Sequence, residues 1–244
     1  MFRHPGKSRT SEHNLRLAMV LSFVAGMVNI VGFLAIQQLT TNVTGHFALF
    51  IYDVSNFDFW KGAIYLLYIL SFLCGSFSSS FLIEKYKSDK RLNIFVVPTL
   101  MEVFILITVA SFGYFQLSFL PNLIACLLLY AMGLQNSFVS KISNMVVRTT
   151  HLTGLFTDLG IELSQLFFPA THPNRKKIIA TIKLRSYIIC FFFFGGLVGG
   201  FLYSEMGFGL TSLIFAAIIL LMSLAFDTIK YHMIKTKRKY NQVY

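Results

Sequence analysis

The sequence predicts an all-α polytopic membrane protein: six transmembrane helices plus two short re-entrant half-helices, arranged as two inverted three-span repeats. Three observations lead there. Of the 244 residues, 55% are hydrophobic and only 13% are charged, against about 45–50% and about 25% in soluble domains. The basic residues collect in a few loops, as the positive-inside rule requires. A polar stretch also recurs: Thr41-Asn42-Val43-Thr44-Gly45 returns 109 positions later as Thr150-His151-Leu152-Thr153-Gly154.

A spanning helix needs about 20 apolar residues. Six segments qualify: 15–37, 61–83, 92–113, 121–140, 183–204 and 208–229. The N-terminus is polar through Asn14 and no small-residue cleavage site follows the apolar run, so Leu17–Ile36 reads as a retained span, not a signal peptide. Two segments are shorter, 44–56 and 153–168. The first makes about 20 Å of helix. Gln38–Val43 before it covers about 20 Å if extended. An extended path inward and a helical path back is a re-entrant loop, tolerated at membrane depth only where it is buried in protein or lines a cavity.

Charge supports this layout. With both short segments re-entrant and both termini cytoplasmic, all 21 Lys and Arg residues except Lys61 fall inside. That set includes Arg3, Lys7 and Arg9, the Lys85–Arg91 loop, and Lys230 to Lys239 in the tail. The net charge of +11 is thereby a topology signal, and no nucleic-acid partner is expected. Cys74, Cys126 and Cys190 lie inside apolar runs and read as small packing residues, not as a disulfide or metal set.

The halves repeat beyond the polar stretch. Gly26-Met27-Val28-Asn29 matches Gly133-Leu134-Gln135-Asn136, and Phe72 to Ser79 matches Phe192 to Gly199. The first repeat takes 1–114 and the second 115–244, in one integral membrane domain. Each holds three spans, an odd number, which inverts the second. Inverted repeats with discontinuous helices are a transporter plan with its site near the midplane.

At Gly26-x-x-Asn29, Thr44-Gly45, Gly133-Leu134-Gln135-Asn136 and Arg148-Thr149-Thr150-x-x-Thr153-Gly154 the chain resembles the YoaK-type family of bacterial integral membrane proteins of unknown function. The resemblance runs over roughly 15–230. It implies a bacterial cytoplasmic (inner) membrane location and no established reaction. The family commonly has Asp at position 29 and Asn at position 46, where this chain has Asn29 and His46. If that Asp serves ion coupling, this chain lacks it.

Thr44 and Thr153 are candidate N-caps of the half-helices, and Gly45 and Gly154 permit close backbone approach. A half-helix N-terminus suits an anion or carboxylate; the plainer reading is that each threonine caps a buried helix. Asn29, Gln135 and Asn136 either line the site or act as interhelical hydrogen-bond glue. Glu102 sits centrally in the third span, where a charged acid costs at least about 2.5–3.5 kcal/mol. It is a coupling carboxyl or a neutral packing group. His46 and His151 flank the half-helix starts as candidate gates, with no second pair at metal-ligand spacing, so no metal and no cofactor are expected. Arg148 is a topology residue or a counter-charge to an anion or to Asp158, the deepest of the remaining acids.

The residues together suggest a secondary transporter or channel for a small solute, anionic or carboxylate-bearing. No His-Glu-x-x-His, Gly-x-Ser-x-Gly or P-loop is present, so no enzyme is expected. A membrane-embedded enzyme on a lipid, or a non-transporting scaffold or lipid-binding protein, stays open. The expected partners are the solute and the lipid bilayer, and a homo-oligomer is not excluded.

Overall fold

A computed structural model describes residues 11–87, 94–114, 120–168 and 174–240. Arg3, Lys7, Arg9, Lys90 and Arg91, used in the charge argument, lie outside the described residues, as do the side chains of Lys230, Lys235, Lys237, Arg238 and Lys239. Among the described residues there are eight α-helices and no strands: α1 Ser11–Ile36, α2 Val43–Ser55, α3 Phe59–Tyr86, α4 Val96–Ser111, α5 Leu120–Ser143, α6 Leu152–Gln165, α7 Arg175–Ser204 and α8 Leu213–Tyr240.

Five segments are long and apolar enough to cross a membrane: Glu12–Ile36, Phe59–Tyr86, Leu120–Ser143, Arg175–Ser204 and Gly209–Ile229. The expected span at 92–113 is a shorter helix, α4, of 16 residues, or about 24 Å against a hydrocarbon thickness of about 30 Å. Pro98 lies in its first turn, where a missing N–H costs no helical bond. A short 3₁₀ turn, Phe112–Tyr114, extends it.

Local chemistry sets the ends. α1 stops where Gln37 takes a left-handed conformation, φ 54°. α5 stops at two such residues, Asn144 and Met145, φ 55° and 62°. Asp58 caps α3 through Lys61 N at 3.4 Å. α2 and α6, at the expected short segments 44–56 and 153–168, are 13 and 14 residues long.

α1 and α5 are the inner helices. Half of the apolar window of α1 and 61% of that of α5 is buried, against 22% in both α3 and α7. The outer faces of α3 and α7 carry Leu70, Leu73, Phe77, Phe193, Leu197 and Phe201, all exposed. Such a surface is stable facing lipid and unstable facing water. α1 packs along α7 and α3 along α5; α2 lies on α3, α6 on α7, and α4 contacts α5 and α8.

Glycines set the two main contacts. A Cβ on Gly26 would collide with the Phe192 carbonyl oxygen, and one on Gly195 with that of Phe23. The other pair repeats this arrangement: Gly133 sits against the Phe72 carbonyl and Gly75 against that of Tyr130. Small residues are what allow helix backbones in lipid to come this close. Ser76 adds a hydrogen bond, its Oγ donating to the Gly133 carbonyl at 3.1 Å.

Neighbouring glycines on α7 therefore have opposite tolerance. A Cβ on Gly196 would have the Gly26 carbonyl oxygen at 3.8 Å as its nearest atom, an ordinary contact. Gly195→Ala should destabilise by about 1–3 kcal/mol through overpacking, while Gly196→Ala stays near wild type. Thermal unfolding of the two detergent-solubilised variants checks this; equal melting temperatures would refute the tight α1–α7 contact.

Candidate functional site

Past Ile36 the chain turns back along α1. Thr40 Oγ1 donates to the Val28 carbonyl at 3.1 Å, and Thr41 Oγ1 donates to Asn29 Oδ1 at 2.8 Å. Val28 lies eight residues before the end of α1, so Thr40 sits about 12 Å back along that helix, three residues before α2 begins. The second half does the same. Gln135 Nε2 donates to Thr149 Oγ1 at 3.0 Å, and Thr150 Oγ1 donates to Asn136 Oδ1 at 2.9 Å. These bonds fasten both irregular segments to the inner helices.

The caps differ from the sequence expectation. Asn42, with extended backbone, caps α2, its Oδ1 accepting from Gly45 N at 3.2 Å. His151 occupies the cap position of α6 but makes no side-chain cap bond. Thr44 and Thr153 each lie one residue inside their helices, so their hydroxyls are free of the capping role. The register is set by Thr41 and Thr150, already bonded to the asparagines, which leaves the next residue as cap. The first-turn N–H groups of α6 are thus left without a side-chain cap.

Both helix starts open into one cavity of about 950 Å³. Its lining includes Asn29, Thr41, Asn42, Thr44, Gly45, Asn136, Ser140, Arg148, Thr150, His151 and Thr153, with the Phe72 and Phe192 rings as apolar walls. Those two phenylalanines carry the carbonyls that meet Gly133 and Gly26, so the glycine contacts also place the walls. The Asn136 Nδ2 is buried with no partner. No acidic residue is in the lining, and Arg148 makes no ion pair among the described residues. The His151 ring lies over Gly154, where a Cβ would strike it.

The other singled-out residues lie elsewhere. Gln135 is fully buried behind the wall, its Nε2 also donating to the Leu21 carbonyl at 3.0 Å; it ties α5 to α1. His46 is buried between α2 and α3, its Nε2 2.7 Å from the Leu39 carbonyl, which places the proton on Nε2. Its ring stacks on Tyr65 and meets Tyr68 edge-on, and Tyr68 donates to Asn122 Oδ1 at 2.6 Å. Asp158 is exposed on α6 and pairs with Arg185 at 3.2 Å. Arg185 also holds Glu162. Glu102 is fully buried on α4 with neither carboxyl oxygen partnered, and it does not reach the cavity lining.

Sequence reasoning passed over Thr41, Asn42 and Thr150 as site residues, although all three stand in the recurring stretch. It also counted Arg185 only as a topology charge. The acids Asp158 and Glu162, spaced i and i+4 on one helix face, were the signal for a facing cation.

A family model described as a protein of unknown function, DUF1275, matches residues 17–226. The UPF0700 transmembrane protein YoaK of Bacillus subtilis (strain 168) is 23% identical over 185 residues, covering 75% of this chain and 80% of that protein. No solved structure matches.

The cavity should be wet and the His46 pocket dry. In a background with Cys74, Cys126 and Cys190 replaced by Ala, Thr44→Cys and Arg148→Cys should react with a membrane-impermeant maleimide from at least one face. His46→Cys should react roughly tenfold more slowly, since thiol reactivity follows access. Comparable rates at all three positions would contradict the described burial.

Proposed function

The chain belongs to the DUF1275 family of proteins of unknown function, and from its site we propose that it carries a small anionic solute, carboxylate-bearing by preference, across the bacterial cytoplasmic membrane as a secondary transporter or channel. One observation carries this reading. A single cavity receives two half-helix N-termini, three asparagine amides and an arginine, and no carboxylate. Helix N-termini offer open N–H groups and a positive dipole end. A guanidinium adds a forked donor set matched to a carboxylate. The polar groups present bind and orient; the reading is non-enzymatic.

The proposed layout keeps both termini cytoplasmic. It treats α4 with its 3₁₀ extension as the sixth span and α2 and α6 as re-entrant. The paired glycine contacts, the paired Thr–Asn bonds and the positive-inside count support two inverted repeats, 1–114 and 115–244. Solute would be exposed to either side by rocking one repeat against the other around the cavity.

Glu102 has a separate place in this reading. Its carboxyl oxygens are buried with no partner among the described residues, where a charge is costly. We assign it to proton coupling, through the α4–α5 and α4–α8 contacts and not through direct contact with the solute.

The test is thermal stabilisation by a panel of small anions, amino acids, nucleobases and sugars, followed by flux in proteoliposomes. A monocarboxylate should raise the melting temperature by mass action. Arg148→Gln should weaken its binding by about 1.5–3 kcal/mol, the value of a hydrogen bond to a charged group, or roughly ten- to a hundredfold in Kd. Arg148→Lys should restore part of it. Unchanged binding in Arg148→Gln would place the site elsewhere. Glu102→Gln, nearly isosteric, should fold normally and abolish the pH dependence of flux; flux that keeps its pH dependence would remove Glu102 from coupling.

A further inference from the structure

The two half-helices are seated differently. α2 is sealed onto α3 by His46, Tyr65 and Tyr68, with Val54 3.1 Å from where a Cβ on Gly62 would stand. α6 meets α7 less extensively and is held by the Arg185 pairs with Asp158 and Glu162. Beyond those pairs a groove of about 740 Å³ remains between α1, α6 and α7. Its walls are mainly Ile30, Leu34, Phe156, Leu197 and Phe201, over Gly196 and Gly200.

This groove and the polar cavity share Asn29, Leu152 and Phe192 in their linings, so they adjoin there, an apolar arm beside a polar head. Along α7 the arm runs from Phe192 to Phe201, nine residues or about 14 Å of helix. That is about half of a hydrocarbon layer of about 30 Å, the reach of one acyl chain. The far mouth carries Ser204 and Glu205. A second anionic group at the far end of a ligand would meet that carboxylate and be repelled.

We propose that the solute is a single-chain amphiphilic monocarboxylate. Its carboxylate takes the cavity with Arg148, and its hydrocarbon chain lies in the α1–α6–α7 groove. The proposal rests on the anion reading above and adds the tail. One guanidinium matches one negative charge, and the absence of polar side chains along the middle of the groove excludes a polar chain.

The experiment uses the full chain in nanodiscs with radiolabelled decanoate, read by scintillation proximity. The competitors are butyrate, decanoate and decanedioate. A Cβ on Gly200 would lie 3.6 Å from Ile30, so a side chain there fits beside α1 and projects into the groove. Wild type should be displaced by decanoate at roughly tenfold lower concentration than by butyrate, since the longer chain removes more apolar surface from water. Decanedioate should compete no better than butyrate. In Gly200→Leu the two monocarboxylates should come within about twofold, because the arm is filled. Leu197→Trp, filling the same arm from an exposed position, is the second variant. Decanoate enters the lipid equally in all samples, so a change in the ratio reports the groove. A decanoate-to-butyrate ratio unchanged in both variants, or decanedioate equal to decanoate, overturns the proposal. If butyrate stabilises the protein but chain length has no effect, only the tail is refuted. If neither acid binds, the anion reading falls with it.

Discussion

The constraint on which the rest depends is that backbone leaving a helix inside a bilayer has no water to bond. The chain leaves a long apolar helix for irregular backbone twice, at 37–42 and 144–151. At each, threonine side chains bond back to the inner helix just passed, Thr40 and Thr41 to α1 and Thr149 and Thr150 to α5, while backbone groups find separate partners, the Leu39 carbonyl at His46 Nε2 and Val147 N at Ser143 Oγ. An unsatisfied backbone group in lipid costs several kcal/mol, so the backbone bonds make such segments tolerable and the threonine bonds fix where they lie. Having turned back, they leave two helix N-termini inside the protein, and a cavity follows. The polar cavity is thus a consequence of how the irregular segments are tied back along α1 and α5. It needs no separate invention.

Charge is distributed so that this cavity stays free of acids. Glu84 is taken by Lys141 at 2.7 Å and Lys87 at 3.3 Å, and Asp158 and Glu162 are taken by Arg185. Glu102, fully buried, sits on α4 and outside the cavity lining. Arg148 faces the cavity and makes no ion pair among the described residues. A cationic group facing two helix N-termini is itself unfavourable, since like ends repel. An anion between them relieves that repulsion, which is the electrostatic reason for expecting one there.

Much of the membrane plan was legible because period and composition act over whole helices. Six apolar runs read as spans, and five of them are helices long and apolar enough to cross a membrane; the recurring Gly-x-x-Asn and Thr-x-x-Thr-Gly stretches both contribute to the cavity lining. What was not legible turned on single positions. Asn42 caps α2 instead of Thr44 because Thr41 is already bonded to Asn29, a contact twelve residues apart that helical spacing does not announce. Gln135 and Asn136 are adjacent, yet on α5 they point in different directions: one fills the contact with α1 and the other lines the cavity. Burial of His46 depended on Tyr65 and Tyr68 of the next helix. Glu102 was singled out by its neighbours in sequence, but its distance from the half-helices belongs to the packing of α4 alone.

The halves share their framework and differ in what holds their half-helices. Where α2 has His46, α6 has Leu155; where α3 has Tyr65, α7 has Arg185. An aromatic cluster packs by area and shape, and loosening it exposes a large apolar surface together with the buried His46 Nδ1. An ion pair at a partly exposed position has alternative partners in water and is worth little when wet. The α6 side therefore has the lower cost of opening. It also borders the groove, and its first turn carries Thr153 and the uncapped N–H groups. If one half-helix moves during solute passage, the chemistry of the seats assigns that movement to α6, with α2 as the fixed wall.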